Sequence, residues 1–350
     1  AVGAWHNMGL ALKSLGDEAG ALDAWHSALA VDPKGLPTLL SVGLLHKDAG
    51  RSDEAMDWFL RMLDVDAHHR DAHDALVSLL FSQAFDARRT STQAAAAARR
   101  YGQRLCAIYP AIAPAKQATE PNKVLRIGLV SADLNDHPVA YFLMPLLKHM
   151  PRDDVHWVAY HTSARETPYT QALRTRCHTW RQVEDLDFDT LTQRIVDDRI
   201  DVLVDLAGFT AGHRLEVFAR RPAPLQLSWL GYFASLGLPA IDAVLADPVS
   251  VPDSEAHGFS ERVVRLPHTR LCLGMPPDAP AVSPLPASER GHATIGCFQH
   301  PDKINTQVLT LWAQVAAAAP DARWRFQHKT WEDEALVARM VARMKAVGFP

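Results

Sequence analysis

The sequence predicts an all-helical repeat region followed by an α/β region with a parallel sheet. Three observations support this fold class. The first hundred residues repeat with a period of 34, short apolar strands alternate with helices after Asn122, and a second strand–helix unit follows a proline-rich stretch at 276–286. Two or three domains are expected, because the chain has 350 residues and a domain typically has roughly 150.

Composition excludes several classes of protein. A hydrophobic share of 48% and a charged share of 22% indicate an ordinary globular chain, and 36 Lys and Arg against 40 Asp and Glu give a net charge of −4. Such a chain lacks the positive field that holds nucleic acid, so we expect no nucleic-acid partner. Four cysteines are scattered without a C-x-x-C pair, and no apolar run is long enough to span a bilayer. We therefore expect a cytoplasmic protein without membrane contact, disulfide framework or metal site.

Residues 1–109 have the period and residue types of tetratricopeptide repeats, in which each unit is a pair of antiparallel helices. A further helix is predicted over 71–84, and an Ala-rich helix over 90–109 is predicted to cap the array. The sequence thus predicts an all-α tetratricopeptide superhelix. Because it begins inside the pattern and without Met, we expect it to be a piece of a longer protein. Residues that match at the offset of 34 are Gly9 and Gly43, Gly16 and Gly50, Ala21 and Ala55, Trp25 and Phe59, and Val31 and Val65.

Two α/β segments follow, each after a proline-containing linker. Residues 110–122 are predicted to link the helices to a doubly wound α/β lobe at 123–275, and residues 276–291 to link it to a second lobe that starts at 292–350. Because a two-stranded sheet cannot stand alone, we expect the second lobe to be truncated. The predicted strands are 124–131, 155–160, 201–206, 225–230, 243–246, 263–266, 293–298 and 322–326, and the predicted helices are 186–199, 215–220, 306–318 and 331–347.

The first candidate site follows the first strand, because ligands of open parallel sheets bind beyond the carboxyl ends of the strands. The segment SADLNDHP places His137 before Pro138, and proline suits the first turn of a helix. His137 is therefore predicted at the crevice, where an imidazole can act as base, acid or hydrogen-bond donor. The alternative is a histidine that only caps the helix.

Two further loops follow predicted strands. Gly208-Phe-Thr210 offers a flexible backbone and a hydroxyl, although a plain turn is the alternative, since the chain has no phosphate-binding glycine motif. Lys303 precedes a helix, so its charge and the helix N-terminus suit a diphosphate, with a solvated surface lysine as the alternative. Three clustered histidines lack an acidic or Cys residue to complete a metal site, and we expect them to form a solvated turn: His68, His69 and His73.

These segments together resemble glycosyltransferase family 41, the O-linked N-acetylglucosamine transferases, and especially their bacterial SPINDLY-type members. The resemblance rests on the repeats and on VLRIGLVSADLNDHPVAYFL, DVLVDLAGFTAGHRLEVFARRPAPLQLSWLGY and IGCFQHPDKIN. It implies a GT-B architecture, with a nucleotide-sugar between two Rossmann-like lobes. It also implies inverting, metal-independent transfer of N-acetylglucosamine from UDP-N-acetylglucosamine, without a cofactor, to Ser or Thr hydroxyls of a polypeptide held along the tetratricopeptide groove.

The resemblance also implies roles for individual residues. The family's active-site histidine matches His137, and its diphosphate-contacting lysine matches Lys303. The chain departs from the family at Phe233-Ala-Ser, where Pro-Gly-Thr is typical, at His300, where an amide is typical, and at Asp302, which adds a negative charge. A later uridine-binding segment of the family is missing, so the 350 residues alone are expected to be inactive. Residues implied to line the substrate are Gly208, Thr210, Leu230, Gly231, Tyr232, Gln299, His300 and Lys303.

Three other functions stay open at this point. A related protein glycosyltransferase with another sugar or an Asn acceptor fits, because fucosyl and N-glucosyl branches share the His and Lys framework. A catalytically inactive tetratricopeptide scaffold also fits, since such arrays bind partners without chemistry. The last alternative is an unrelated repeat protein.

Overall fold

The computed structural model describes residues 2–112, 123–150, 153–274 and 279–349. The chain divides into two compact units, of which the first contains Ala1–Ala84 and Thr90–Gly274 and the second contains Phe85–Arg89 and Met275–Pro350. Most of the predicted linker at 110–122 and the start of the one at 276–291 lie outside the described residues. The helical region and the first α/β region thus belong to the same compact unit.

The amino-terminal part of the first unit is all-helical, as predicted. A Cβ atom on Gly9 would lie 2.2 Å from the Trp25 ring, and one on Gly43 would lie 2.3 Å from the Phe59 ring. Both glycines let an aromatic ring of the next helix pack directly on the backbone, so two successive hairpins are built alike. The helices of this part are α1 (Val2–Ser14), α2 (Glu18–Val31), α3 (Leu36–Asp48), α4 (Ser52–Val65), α5 (Arg70–Gln83) and α6 (Ser91–Ile108).

Helix α6 begins with a capping box and packs against the α/β part of the unit. The hydroxyl of Thr90 accepts the N–H of Gln93 at 3.2 Å, and the Gln93 side chain accepts the N–H of Thr90 at 2.9 Å. Further along the helix, a Cβ atom on Gly102 would lie 2.1 Å from the carbonyl oxygen of Gly237. The backbone of α6 therefore touches the turn around Gly237 directly.

Replacing Gly102 with alanine is expected to lower the free energy of unfolding by about 1–3 kcal/mol, although alanine is the better helix former. The added methyl group would clash with backbone atoms of Gly237, which cannot rotate aside. Chemical denaturation measures the effect. The control is Gly3→Ala in α1, where an added Cβ meets nothing within 4 Å. Equal stability of the two variants would contradict the close approach.

The α/β part of the first unit is built on a parallel sheet, as predicted. Its strands are β1 (Leu125–Ser131), β2 (Val155–His161), β3 (Thr179–Gln182), β4 (Val202–Asp205), β5 (Leu225–Ser228), β6 (Ala243–Ala246) and β7 (Arg262–Arg265), in the order β3-β2-β1-β4-β5-β6-β7. In the central strand, Gly128 pairs with Val158 on one side and Leu203 on the other. The helices are α7 (Pro138–His149), α8 (Pro168–Arg174), α9 (Phe188–Asp197) and α10 (Leu215–Ala219).

Two elements of this sheet region are not predicted from the sequence. Strand β3 lies at the sheet edge and has four half-exposed or exposed residues, so it has no apolar run. Helix α8 has only seven residues. The predicted helix at 186–199 is shorter, because Asp187 caps its start and Arg199 has a φ of 51°.

The strand order places a crevice between β1 and β4. The chain builds β2 and β3 on one side of β1 and β4 to β7 on the other. The chain therefore leaves β1 toward β2 and leaves β4 toward β5, in opposite directions along the sheet, and such a point is where doubly wound sheets bind ligands. One apolar core continues from the helical region under the sheet, and another lies on the face covered by α7.

The second unit contains the parallel pair β8 (Thr294–Cys297) and β9 (Arg323–Phe326). Its small core holds Cys297, Ile304, Leu309 and Met340. Helix α11 (Pro286–Arg290) lies inside the predicted second linker, and α12 (Thr306–Ala318) and α13 (Glu334–Ala346) follow the strands. In the part of the chain that the structure describes, no helix is both long and apolar enough to cross a membrane.

Candidate functional site

The loops that follow β1, β2 and β4 touch at the carboxyl edge of the sheet. A Cβ atom on Gly212 would lie 2.5 Å from the Cβ of Ala132, so the β4 and β1 loops are in contact. The hydroxyl of Thr162, just after β2, donates to the carbonyl of Gly212 at 2.9 Å. These contacts join the three loops into one rim at the crevice between β1 and β4.

His137 stands on this rim as the N-cap of α7. Its Nδ1 accepts the N–H of Val139 at 3.3 Å, and Pro138 occupies the first turn, as the sequence indicates. The imidazole is 43% exposed, so it is accessible to solvent at this edge of the sheet. The Nδ1 atom also lies 3.7 Å from Oδ2 of Asp133, an acidic residue in the same loop that the sequence analysis did not single out.

Asp133 interacts electrostatically with two histidines. Burial raises the pKa of Asp133, while His137 and His161 act in the opposite direction. His161, at the end of β2, is fully buried, and its Nδ1 lies 3.2 Å from Oε1 of Gln182. Burial lowers the pKa of His161 and favours the neutral ring.

The loops after β4 and β5 pack against each other. Gly208, at a φ of 59°, lies against Tyr232, so a Cβ atom there would be 2.3 Å from that of Tyr232. A Cβ atom on Gly231 would lie 1.8 Å from the carbonyl oxygen of Leu206. Only glycine fits these two positions, and together they bring the two predicted loops into one surface.

Hydrogen bonds hold the β4 loop in shape. The carboxylate of Asp205 accepts the N–H groups of Ala207 at 3.2 Å and Gly208 at 2.8 Å, and burial raises the pKa of Asp205 to about 6. The hydroxyl of Thr210 donates to the carbonyl of Ala207 at 2.8 Å. The side chain of Thr210 therefore already has a partner in the loop.

Leu230 and Tyr232 are buried, so they shape the β5 loop rather than present an exposed side chain. Leu230 has a φ of 75°, which is unusual for a branched side chain. The ring of Tyr232 packs against that of Phe209, with the ring centres 5.3 Å apart. That Leu230 and Tyr232 line the substrate remains a prediction.

The segment that departs from the family, beginning at Phe233, is held by a buried carboxylate. Glu261 accepts the Ser235 hydroxyl at 2.7 Å, the N–H of Leu236 at 2.8 Å and the N–H of Gly237 at 3.0 Å. Glu261 lies 24 to 26 positions further along the chain than the residues it holds, so no local sequence pattern indicates this role. The loop thus keeps a defined shape without the Pro-Gly turn.

Two of the three histidines near residue 70 pair with tyrosines of α6 and the residue after it, and the predicted solvated turn is wrong for His73. His73 is buried, with Nδ1 at 3.0 Å from the Tyr101 hydroxyl and Nε2 at 3.0 Å from the Ala67 carbonyl. His68 lies 3.0 Å from the Tyr109 hydroxyl. Across the described residues, no three His, Cys, Asp or Glu side chains are grouped to hold a metal ion.

A cavity of about 180 Å³ lies beside these histidines, with the buried pair His213 and Glu216 in its wall. His213 Nδ1 and Glu216 Oε2 are 3.7 Å apart. Burial lowers the pKa of His213 to about 4 and raises the pKa of Glu216. His213 is therefore uncharged near neutral pH, and burial disfavours the charge on Glu216.

The depressed pKa of His213 predicts an acid-sensitive fold. Between pH 6.5 and about 4 the unfolded chain binds a proton at His213 that the folded chain does not, so stability falls as pH falls through this window. His213→Gln is expected to remove about 3 kcal/mol of that loss. Urea unfolding of the parent and of His213→Gln at pH 7 and pH 4 measures this difference. An equal loss of unfolding free energy in both proteins would contradict the role of His213.

In the second unit, the candidate residues follow β8. Lys303 is exposed, and its ammonium lies 3.2 Å from Oε1 of Gln299 and 5.4 Å from the ring centre of Phe85. Nδ1 of His300 accepts the N–H of Asp302 at 3.2 Å, and its ring lies 4.9 Å from that of His328, which follows β9. Lys303, His300 and His328 thus lie together at the carboxyl edge of the β8–β9 pair. His328 is a candidate site residue that the sequence analysis missed.

Comparison with known proteins gives consistent similarities. The profile of glycosyl transferase family 41 matches residues 78–274. Relatives named probable UDP-N-acetylglucosamine–peptide N-acetylglucosaminyltransferase SPINDLY are 31% identical in Solanum lycopersicum and 29% identical in Arabidopsis thaliana, each over 255 residues and 72% of this chain. These alignments cover 27% and 28% of the relatives, so the aligned part of the chain spans about a quarter of their length.

A solved structure is also similar. It is a mutant form of the O-GlcNAc transferase of Thermobaculum terrenum, with a TM-score of 0.74 and 27% sequence identity. The match covers 99% of this chain and 72% of that chain. The stretch matched by the family profile contains His137 and both glycine loops, and the structural match extends over nearly the whole chain, beyond the end of that profile.

Proposed function

Because this chain belongs to glycosyltransferase family 41, we propose that the protein transfers N-acetylglucosamine from UDP-N-acetylglucosamine to Ser or Thr hydroxyls of proteins. The relatives' names supply the donor and the peptide acceptor. The observation that carries the proposal is the place of His137, a 43% exposed imidazole at the crevice edge of the sheet. A base at this point is what a hydroxyl acceptor requires.

The proposed transfer inverts the configuration at the sugar carbon. The acceptor oxygen forms a bond to C1 while the bond from C1 to the diphosphate breaks, and its electron pair stays on the UDP oxygen. The hydroxyl proton passes to His137. Lys303 stabilises the negative charge that grows on the diphosphate, because its ammonium stands in the loop before α12.

The remaining parts of the proposal concern architecture and acceptor. Two hairpins with the same glycine–aromatic packing support tetratricopeptide repeats, whose groove would hold an extended polypeptide. Parallel strands in both units support two Rossmann-like lobes of GT-B type. Gln299 and His300 would contact the nucleotide beside Lys303, and Gly208 and Gly231 would let the backbone of the first lobe approach the sugar.

Transfer is also proposed to proceed without a metal ion. The positive charge of Lys303 takes the place that a divalent cation has in metal-dependent transfer to diphosphate leaving groups. Excess EDTA should leave the transfer rate unchanged. A rate that falls with EDTA and returns with Mg²⁺ or Mn²⁺ would contradict this part alone.

The test is calorimetric titration of UDP, UDP-N-acetylglucosamine, UDP-glucose and GDP-fucose into the full-length protein, followed by a transfer assay with the donor that binds. Binding of UDP-N-acetylglucosamine and its transfer to protein hydroxyls supports the proposal. Preference for another donor would identify a related protein glycosyltransferase, which the altered loop with its 46% exposed Phe233 makes the second candidate. Absence of binding by all four would indicate an inactive scaffold.

A further inference from the structure

The Nδ1 atom of His137 has one hydrogen-bonding partner, the N–H of Val139, and one acidic neighbour, Asp133. In the neutral ring with the proton on Nε2, Nδ1 accepts the N–H of Val139, which lies 3.3 Å away. In the ring with the proton on Nδ1, that proton can only go to an acceptor, and Oδ2 of Asp133 lies 3.7 Å away. This separation is longer than a hydrogen bond, so the imidazole has to turn about its side-chain bonds before Nδ1–H can donate to Asp133.

The two arrangements differ in whether Nε2 of His137 carries a proton. When Nδ1 caps the helix, Nε2 carries a proton and can only donate. When Nδ1–H donates to Asp133, the lone pair on Nε2 is free to take a proton. A base role for His137 therefore requires the second arrangement.

We propose that Asp133 is a positioning residue that selects the Nδ1–H form of His137 and so makes Nε2 the base of the transfer reaction. This inference rests on the proposed function, because it concerns the same histidine. In the transfer step the acceptor proton moves to Nε2, the oxygen bonds to C1 of the sugar, and the electron pair of the broken bond leaves with the diphosphate. The ring then holds two protons, and the Asp133 carboxylate, still ionised, stabilises the imidazolium through Nδ1–H.

The loop fixes Asp133 for this role. Its N–H donates to the Ser131 hydroxyl at 2.9 Å, and the Asn135 side chain donates to the carbonyl of Ala132 at 2.9 Å, so the turn between β1 and α7 is held at two points. The carboxylate is only 21% exposed, which strengthens its interaction with a charged ring.

Other ionisable groups face this pair from neighbouring elements. Burial raises the pKa of the Asp133 carboxyl, and His161 of β2, like His137, acts in the opposite direction. Asp136 precedes His137 and is exposed, and Tyr141 of α7 and Tyr169 of α8 stack edge to face with ring centres 5.0 Å apart. Within the described residues, the ring nitrogen Nδ1 of His137 contacts Val139 and Asp133 but not Asp136, so Asp136 offers a matched control.

The test compares transfer by full-length Asp133→Asn, Asp136→Asn, His137→Asn and the double variant Asp133→Asn/His137→Asn. Asp133→Asn is expected to lower kcat by about 10- to 100-fold with the Kd for UDP within about twofold of the parent. Asp136→Asn should keep the parent rate.

The double variant separates a positioning role from a merely structural one. If Asp133 acts through His137, the double variant is no slower than His137→Asn alone. A further loss in the double variant, or a parent rate in Asp133→Asn beside a slow His137→Asn, would overturn this inference and leave the proposed function standing. A parent rate in His137→Asn would instead overturn both the base role and this inference.

Discussion

Replacing Lys303 with alanine in the full-length protein is expected to weaken UDP binding by at least about tenfold and to slow transfer by roughly 10²- to 10³-fold. The side chain supplies a positive charge in the loop between β8 and α12, where the helix N-terminus favours the same anion. Its hydrogen bond to Gln299 orients the ammonium within the loop. Calorimetry with UDP measures the change in affinity, and initial rates at saturating donor measure the change in transfer rate.

Lys345→Ala is the control for this experiment. It removes the same charge from the same unit, but at the exposed last turn of α13. This variant should bind UDP and turn over like the parent. If Lys303→Ala behaves like Lys345→Ala in both measurements, Lys303 is a solvated surface lysine and has no diphosphate role.

Replacing His137 with asparagine should reduce kcat by about 10²- to 10⁴-fold while UDP affinity changes little. Asparagine is a strong N-cap residue, so its side-chain oxygen can accept the Val139 N–H that Nδ1 accepts now. The substitution thus removes the base and keeps the cap. Single-turnover transfer isolates the chemical step.

His137→Ala completes the comparison, because it removes both the base and the cap. It should be as slow as His137→Asn and, in addition, less stable by about 1 kcal/mol. The capping explanation of this histidine makes the opposite prediction, with full activity in His137→Asn and a defect confined to the stability of His137→Ala. Thermal unfolding and rate measurements on the same preparations distinguish them.

The position of His137 could be predicted from sequence because the information is local. An apolar strand ends at Ser131, and Pro138 marks the start of a helix, so the histidine between them must lie at the strand's carboxyl edge. The Asp133 contact could not be predicted in this way. It depends on a turn whose shape is set by Ser131 and Asn135 side chains, and such a turn has no period to detect.

The same distinction explains the elements that sequence analysis missed. Glu261 holds the turn at Ser235 and Gly237 from 24 to 26 positions away, so its role appears only when β7 is placed in the sheet. Strand β3 is formed by edge pairing with β2 rather than by its own apolar side chains. The all-helical region could be predicted because the period of 34 in the sequence coincides with a packing contact, as Gly43 and Phe59 illustrate.

The apolar core shared between the helices and the sheet limits which helices could be replaced by those of another protein. Phe81 of α5 lies 6.3 Å from the ring of Tyr232, and Tyr101 of α6 lies 6.4 Å from that of Phe209, within one continuous apolar core. The family profile likewise begins at residue 78, inside α5. Helices α5 and α6 thus contribute to the hydrophobic interior of the first α/β region. A chimaera that carries a foreign repeat array should therefore be joined upstream of α5, because a junction at 110–122 would strip the lobe of aromatic partners that no new array supplies.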